Sequence, residues 1–505
     1  MPISKLDIKN FQGFSSTQTI ELKPLTMIFG PNSSGKSSIF RALSLLQQSA
    51  FTPKRSNRLS PYPVELMFQE PRGKDYGSFL NVVNDHIDSN EISFTLEIEG
   101  TPSWILSRAS KVRTDIDEAL DVNHSETIAI RFNLKYLSPG LLTELHISIL
   151  DIGRNAISNA VFSFGNTYEK YEDGDVATEI KLIDCDSGFE QTLLDFLNYE
   201  GRTNSLIKFL PARSSRKNDL TEKNIQETLR NHLPLVVTNV KSALLFGEAY
   251  GINAPRAPKE IVAGLIYEVF RDLGFSFRTA LREVNFIDSL RNVPPRVSNL
   301  DSRRTESIDR DGSNIVRWLH SHADRVRIIS ELMNNITNGR YSLQTTELKI
   351  DQFDYLRYGA LQLIENSSGT RVSFEDVGVG LSQLLPILAQ MTFFKMENPT
   401  LAIEQPELHL HPRMQAELMD LLIETSEFSN NWSKKILLET HSEPMLMRLQ
   451  KRIREGKIDK SYVSVAYVEA GVNGSEIKMM ELNDDGSFKD RWPVSFSGLR
   501  REDSF

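Results

Sequence analysis

Cysteine is almost missing from this chain: Cys185 is the single thiol among 505 residues. One thiol permits no internal disulfide and no cysteine-based zinc cluster, and it suits a reducing compartment. Long apolar runs are missing as well. None approaches the ~18 residues of a membrane-crossing helix, and Met1-Pro2-Ile3-Ser4-Lys5 lacks the apolar core of a signal peptide. Positive charge is not in excess: 58 Lys and Arg against 67 Asp and Glu leave a net charge of −9. That balance argues against a surface that coats nucleic acid over its whole extent. No segment sustains an a/d heptad, so long coiled-coil arms are not expected. Internal repeats and low-complexity tracts are likewise lacking. What remains is a cytoplasmic globular protein of about three domains, and its 40% hydrophobic and 25% charged residues are ordinary for one.

Against these absences one motif stands out. Gly30-Pro31-Asn32-Ser33-Ser34-Gly35-Lys36-Ser37 matches G-x-x-x-x-G-K-[ST], a loop that cradles phosphates. Leu25-Thr26-Met27-Ile28-Phe29 before it is an apolar run that predicts a buried strand. Ser38-Ile39-Phe40-Arg41-Ala42-Leu43 after it opens an amphipathic helix. Strand, loop and helix in that order aim backbone N–H groups and a helix N-terminus at a triphosphate. Lys36 is expected on the β and γ phosphates and the Ser37 hydroxyl on Mg²⁺. An ordinary Gly/Ser turn is the alternative, and the flanking strand and helix weigh against it. A nucleoside triphosphate, as in ATPases and GTPases, and Mg²⁺ are therefore the expected ligands of this loop.

Residues 1–50 predict a unit of strand, strand, phosphate loop and helix. Residues 51–80, rich in Pro, Arg, Ser and Asn, predict an irregular excursion. From Ile92 apolar residues alternate with polar ones (Phe94, Leu96, Ile98), and the pattern returns at Thr127–Leu134, Leu145–Leu150, Ala160–Phe164 and Ala177–Ile183. Successive alternating strands without helices between them predict an antiparallel sheet. Helical spacing follows at Phe189–Asn198, Glu222–Leu233, Pro258–Val284 and Ser313–Asn338. From Glu347 strands and helices alternate, as in a parallel sheet. The expected division is 1–190, 191–340 (mostly helical) and 341–505. Local basic stretches occur at Arg202–Lys217 (with Lys208, Arg213, Arg216), at Arg291, Arg296, Arg303 and Arg304, and at Lys451, Arg452, Arg454 and Lys457. Solvated faces are the commoner explanation for such stretches, and a nucleic-acid groove is the alternative.

Far downstream of the loop, Thr400-Leu401-Ala402-Ile403-Glu404 is an apolar strand ending in an acid. Gln405-Pro406-Glu407-Leu408-His409-Leu410-His411-Pro412 follows it directly. Lys435-Ile436-Leu437-Leu438-Glu439 leads into Thr440-His441-Ser442, and Asp376-Val377-Gly378-Val379-Gly380-Leu381-Ser382-Gln383 is a glycine turn entering a helix. This set resembles the ABC-type ATPase heads of the SMC/RecF/OLD group, often called AAA-like. Within that group it is most similar to a prokaryotic subfamily with a short C-terminal extension, here Asp484-Asp485-Gly486-Ser487-Phe488 through Arg491-Trp492-Pro493. Phe286–Arg296 and Asp75-Tyr76-Gly77-Ser78-Phe79 also look like elements of that subfamily.

The resemblance implies an α/β fold: an ABC-type head with a mixed and parallel sheet, an antiparallel β lobe and an inserted helical lobe. It implies that Gly30, Pro31, Asn32, Ser33, Ser34, Gly35, Lys36, Ser37 and Ser38 cradle the nucleotide. Glu404 with Ser37 would hold Mg²⁺, and His441 would sense the γ-phosphate. Gly378 and Gly380, with Ser382 in the helix behind them, would cap the nucleotide of a second copy. Where transporter-like ABC sites carry a glutamate base, this chain has Gln405, which orients water but accepts no proton. Either Glu407 supplies the base or hydrolysis is slow. His409 and His411, spaced by two near Glu407, are expected at a head–head interface rather than on a metal. The implied partners are a homodimer or higher homo-oligomer formed through the heads, an effector protein encoded nearby, and DNA, with no membrane. Family analogy points to bacterial anti-phage defence. A RecF-like ATP-gated DNA-repair protein and a slowly hydrolysing nucleotide-dependent scaffold are the alternatives.

Overall fold

A computed structural model describes residues 2–51, 62–69, 74–99, 129–151, 153–167, 177–189, 192–193, 258–300, 307–348, 357–396, 400–426 and 434–491. The first elements are β1 (Ile3–Lys9), β2 (Gln18–Glu21), β3 (Leu25–Phe29), α1 (Lys36–Phe51) and α2 (Phe79–Val82). Then come β4 (Ile92–Glu99), β5 (Ala129–Leu137), β6 (Leu141–Leu150), β7 (Ala156–Thr167), β8 (Ala177–Cys185) and α3 (Pro258–Arg282). The middle of the chain supplies β9 (Val284–Ile287), β10 (Ser298–Asn299), α4 (Ile315–Ser321), α5 (Ala323–Ile336), β11 (Tyr341–Leu348), β12 (Tyr358–Glu365) and β13 (Thr370–Ser373). Last are α6 (Val379–Met396), β14 (Thr400–Glu404), α7 (Pro412–Ser426), β15 (Lys435–Glu439), α8 (Glu443–Arg454), β16 (Val463–Gly471) and β17 (Gly474–Met479).

The chain forms two compact units. The first comprises Met1–Thr19 and Arg41–Arg282. Its seven-stranded sheet runs β2-β1-β4-β5-β6-β7-β8, and each pairing from β1 to β8 is antiparallel. The expected alternation holds: Ile92, Phe94, Leu96 and Ile98 are all fully buried. One face of the sheet packs through aromatic rings. Tyr62 lies 4.8 Å from Phe270 of α3 and 5.8 Å from Phe132 of β5, ring centre to ring centre, and its hydroxyl donates to the Phe270 carbonyl. Rings at these separations add attraction beyond the area they bury.

The second unit comprises Ile20–Phe40 and Glu283–Phe505. Its six-stranded sheet runs β17-β16-β3-β15-β14-β9. Every pairing from β16 to β9 is parallel and only β17 is antiparallel. Parallel strands are buried on both faces, which is why β3 and β15 carry no exposed residue and read as unbroken apolar runs. The helix α6 is buried all round from Leu381 to Thr392, so it shows no polar stripe. A smaller antiparallel sheet joins β10, β12, β11 and β13.

The protein is thus α/β, with a mixed sheet, a phosphate-loop strand inside it and a separate antiparallel sheet. Several local expectations shift. Val284 does not end a helix; Val284–Ile287 is a strand paired with β14. Four residues are too few to display a period of two against the helical spacing before them. The helical pattern over 313–338 is two helices, broken at His322, where φ is −131°. Strands return at Tyr341 rather than Glu347. Residues 194–257 lie outside the described residues, as do the expected helix at Glu222–Leu233 and the basic stretch Arg202–Lys217. No helix among the described residues is long and apolar enough to cross a membrane.

Leu438, fully buried in β15, fixes the strand that carries Glu439. Leu438→Ala is expected to cost about 2–5 kcal/mol, read as a lower urea midpoint of the unfolding transition. A loss under 1 kcal/mol (roughly a surface substitution) would contradict this packing.

Candidate functional site

The site begins where β3 runs out. Gly30 has φ +151°, and a Cβ there would lie 2.1 Å from the carbonyl oxygen of Val468 on β16, so only glycine passes. Ser33 (φ +61°) and Gly35 (φ +101°) turn the loop back toward α1. The Ser34 hydroxyl is buried and has no hydrogen-bond partner. Lys36, only 4% exposed, donates from Nζ to the Pro31 carbonyl at 2.7 Å. Burial lowers its pKa, and the carboxylates of Glu439 and Glu407 pull the other way. The Ser37 hydroxyl donates to Glu439 Oε1 at 2.6 Å.

The acids come from the C-terminal ends of neighbouring parallel strands, the edge where open α/β sheets hold ligands. Register sets Glu404 of β14 beside Glu439 of β15. Glu439 is 2% exposed, and burial raises its pKa, reinforced by Glu404 and Glu407 and opposed by Ser37 and Lys36. Its Oε2 is buried without a partner. Glu407 closes the next turn: Oε2 accepts from the Thr440 hydroxyl and Oε1 from the His441 N–H, both at 2.7 Å. Burial nevertheless raises the Glu407 pKa. His441 is pushed below its ordinary 6.5 by burial and by the Lys36 charge.

A clamp holds this edge from behind. Arg291, only 4% exposed, donates from Nη2 to the carbonyls of Glu404 (2.6 Å) and Gln405 (3.3 Å). Its backbone brackets one amide: the Arg291 N–H donates to Gln383 Oε1, and Gln383 Nε2 donates to the Arg291 carbonyl. Burial lowers the Arg291 pKa to about 10, against the pull of Glu407, Glu404 and Asp288. Gln405 takes φ +45° and donates its N–H to the Glu439 carbonyl.

The glycine turn faces elsewhere. Gly378 is exposed, and a Cβ on Gly380 would lie 2.5 Å from the His409 carbonyl oxygen. With exposed His409 and His411 these glycines border a cleft of about 440 Å³, which Arg340 and Arg413 also line. Ser382 is fully buried, and its hydroxyl has no partner. The structure therefore gathers the loop Gly30–Ser38 with Glu404, Glu407, Glu439 and His441. Gly378 and Gly380 gather instead with His409 and His411. Among the described residues no group of three His, Cys, Asp or Glu side chains forms a metal cluster.

Sequence reasoning passed over Glu439, although Leu437-Leu438-Glu439 repeats the strand-then-acid pattern of Ala402-Ile403-Glu404. It also read Arg291 as part of a basic stretch on a solvated face, with a nucleic-acid groove as the alternative, whereas the side chain is buried. Arg296 pairs with Glu375 and Asp376, Arg452 pairs with Asp420 and Glu455, and Arg303 and Arg304 lie outside the described residues.

A family model described as an AAA ATPase domain matches residues 1–446. No curated protein matches the chain. Among solved structures, the Smc head bound to the C-terminal winged-helix domain of ScpA is 11% identical over 95% of this chain and 99% of that one, with TM-score 0.39. The Smc head domain with an extended coiled coil from Pyrococcus furiosus, bound to the C-terminal domain of ScpA, is 12% identical over 95% and 96%, with TM-score 0.37. The SMC head domain from Thermotoga maritima is 10% identical over 95% and 100%, also with TM-score 0.37.

Because the folded His441 pKa lies below 6.5, unfolding takes up a proton between the two values. Stability from this group is full above pH 6.5 and falls as the pH drops toward the folded value. In an imidazole NMR titration of the nucleotide-free protein, His441 should titrate below 6.5 and move up in Lys36→Ala. A midpoint at or above 6.5 in the unaltered protein would contradict the site's electrostatics.

Proposed function

The chain belongs to the AAA ATPase domain family, and on that premise we propose that it binds ATP with Mg²⁺ and hydrolyses it. The observation that carries this reading is the meeting of Lys36 and Ser37, in the first turn of α1, with the strand-end carboxylates. The residues present fit the absent groups. Buried polar atoms without partners are costly, and two of them, Ser34 Oγ and Glu439 Oε2, stand at this site. Lys36 is a buried cation whose one hydrogen bond here goes to a carbonyl. A triphosphate and a cation supply the missing acceptors and donors.

In this proposal the backbone N–H groups from Gly30 to Ser38 cradle the phosphates, and Lys36 offsets their charge. Ser37 and Glu404 would hold Mg²⁺, which would offset phosphate charge there. Gln405 orients the attacking water. Glu407, with its pKa raised, is a stronger base than an ordinary glutamate, but both its oxygens already hold hydrogen bonds. It links the turn after β14 to His441, which senses the γ-phosphate. Turnover is accordingly slow, and Gln405 in place of an acid favours a nucleotide-gated switch over a fast enzyme.

At the level of the machine we propose an ABC-type cycle in which two heads pair around ATP. The turn of one head, with Gly378 exposed and Gly380 half-buried, would cap the nucleotide of the other, with His409 and His411 at the interface. The pairing would control a partner protein docked on the region expected to be helical, 191–340. Anti-phage defence in the bacterial cytoplasm, with Asp484–Pro493 as the subfamily's C-terminal extension, follows from the sequence resemblance alone. DNA binding is the weaker reading, since Arg291 is buried and Arg296 and Arg452 are neutralised by acids.

Lys36→Ala should weaken ATP binding by about 10- to 100-fold and remove steady-state phosphate release. Tight ATP binding by that variant would overturn the loop assignment. ATP binding without release in either protein would leave the switch and remove the enzyme.

A further inference from the structure

We propose that Glu439, at the end of β15, is the residue that positions Ser37 for the cation, an assignment that rests on the Mg²⁺–ATP reading above. A serine hydroxyl has one proton and two lone pairs. The Ser37 proton is committed to Glu439 Oε1 at 2.6 Å, which leaves the lone pairs as its free face. A carboxylate placed behind a ligand in this way orients it and makes its oxygen a better donor to metal.

Two further observations separate Glu439 from Glu404. On the side of the sheet toward β14, β3 pairs with β15, with Glu439 level with Ile28. Glu404 lies one strand farther out, about 4.8 Å away across the sheet. The second oxygen of Glu439 is also buried with no partner, in a side chain only 2% exposed. A structural tie at the start of α1 would need one oxygen. A free buried one is an acceptor held for something not yet there, such as a water of the cation's shell. The same arrangement explains why a carboxylate is kept beside a site that must take a polyanion: it is tolerable there only when a divalent cation enters too.

The test measures ATP affinity by calorimetry with saturating Mg²⁺ and with EDTA, and compares the ratio of the two across variants. In Glu439→Gln the Mg²⁺ enhancement should fall about 10- to 100-fold. Metal-free affinity should rise, because a negative charge beside the phosphates is gone. In a Ser37→Ala background Glu439→Gln should lower the enhancement no further, since the two act as one unit. An unchanged ratio in Glu439→Gln, or a loss of equal size with and without Ser37, overturns the assignment alone. If the unaltered protein binds no ATP, the nucleotide reading falls and takes this one with it. Should Glu439→Gln fail to fold, Glu439→Asp, which draws the oxygens back by a methylene, must show the reduced enhancement, and a ratio at the unaltered value overturns the proposal.

Discussion

Charge taken out of water is the constraint around which the second unit is organised. Glu404, Glu407 and Glu439 crowd the strand ends beside Lys36, and burial pushes Glu407 and Glu439 toward the protonated state while pushing Lys36 toward the neutral one. Isolated, each charge would be expensive. Glu407, Glu439 and Lys36 are tolerated because hydrogen bonds are aimed at them. Thr440 and the His441 N–H hold Glu407, Ser37 holds Glu439, and the Pro31 carbonyl holds Lys36. At the phosphate loop, Ser34 Oγ and Glu439 Oε2 stay without a partner.

The same constraint explains Arg291. A buried guanidinium needs acceptors, and its Nη2 finds them in the carbonyls of the strand-end turn, while Nε is left without one. By gripping Gln383 as well, Arg291 joins the helix behind the glycine turn to the strand that ends in Glu404. Gln383, Arg291 and Glu404 are thus linked in one run of hydrogen bonds. That is a short physical connection between the two clusters of the site.

The antiparallel sheet was legible because a period of two survives in Ile92, Phe94, Leu96 and Ile98. The buried parallel strands were legible as apolar runs ending at Phe29, Glu404 and Glu439. Strand β9 was not, being four residues long and joined to a helical pattern. The weight of Glu439 over Glu404 was not legible either. Both end apolar strands, and only the sheet order tells which strand lies against β3. Arg291 looked like surface charge because its partners, Gln383 and Glu404, lie 92 and 113 residues away in sequence. No local pattern encodes such distances.

Gly30 touches the carbonyl of Val468 more closely than any side chain would allow, so the phosphate loop leans on β16, a strand made nearly at the end of the chain. Synthesis delivers the loop well before its buttress. A nascent or truncated chain ending at α8 would hold the complete Gly30–Ser37 motif and every acid of the site, yet leave one side of β3 unpaired. Such an apolar edge invites pairing with another chain. The motif that announces the nucleotide site is therefore finished long before the site is, and a proteolytic cut after α8 would sever chemistry from its support without removing one candidate residue.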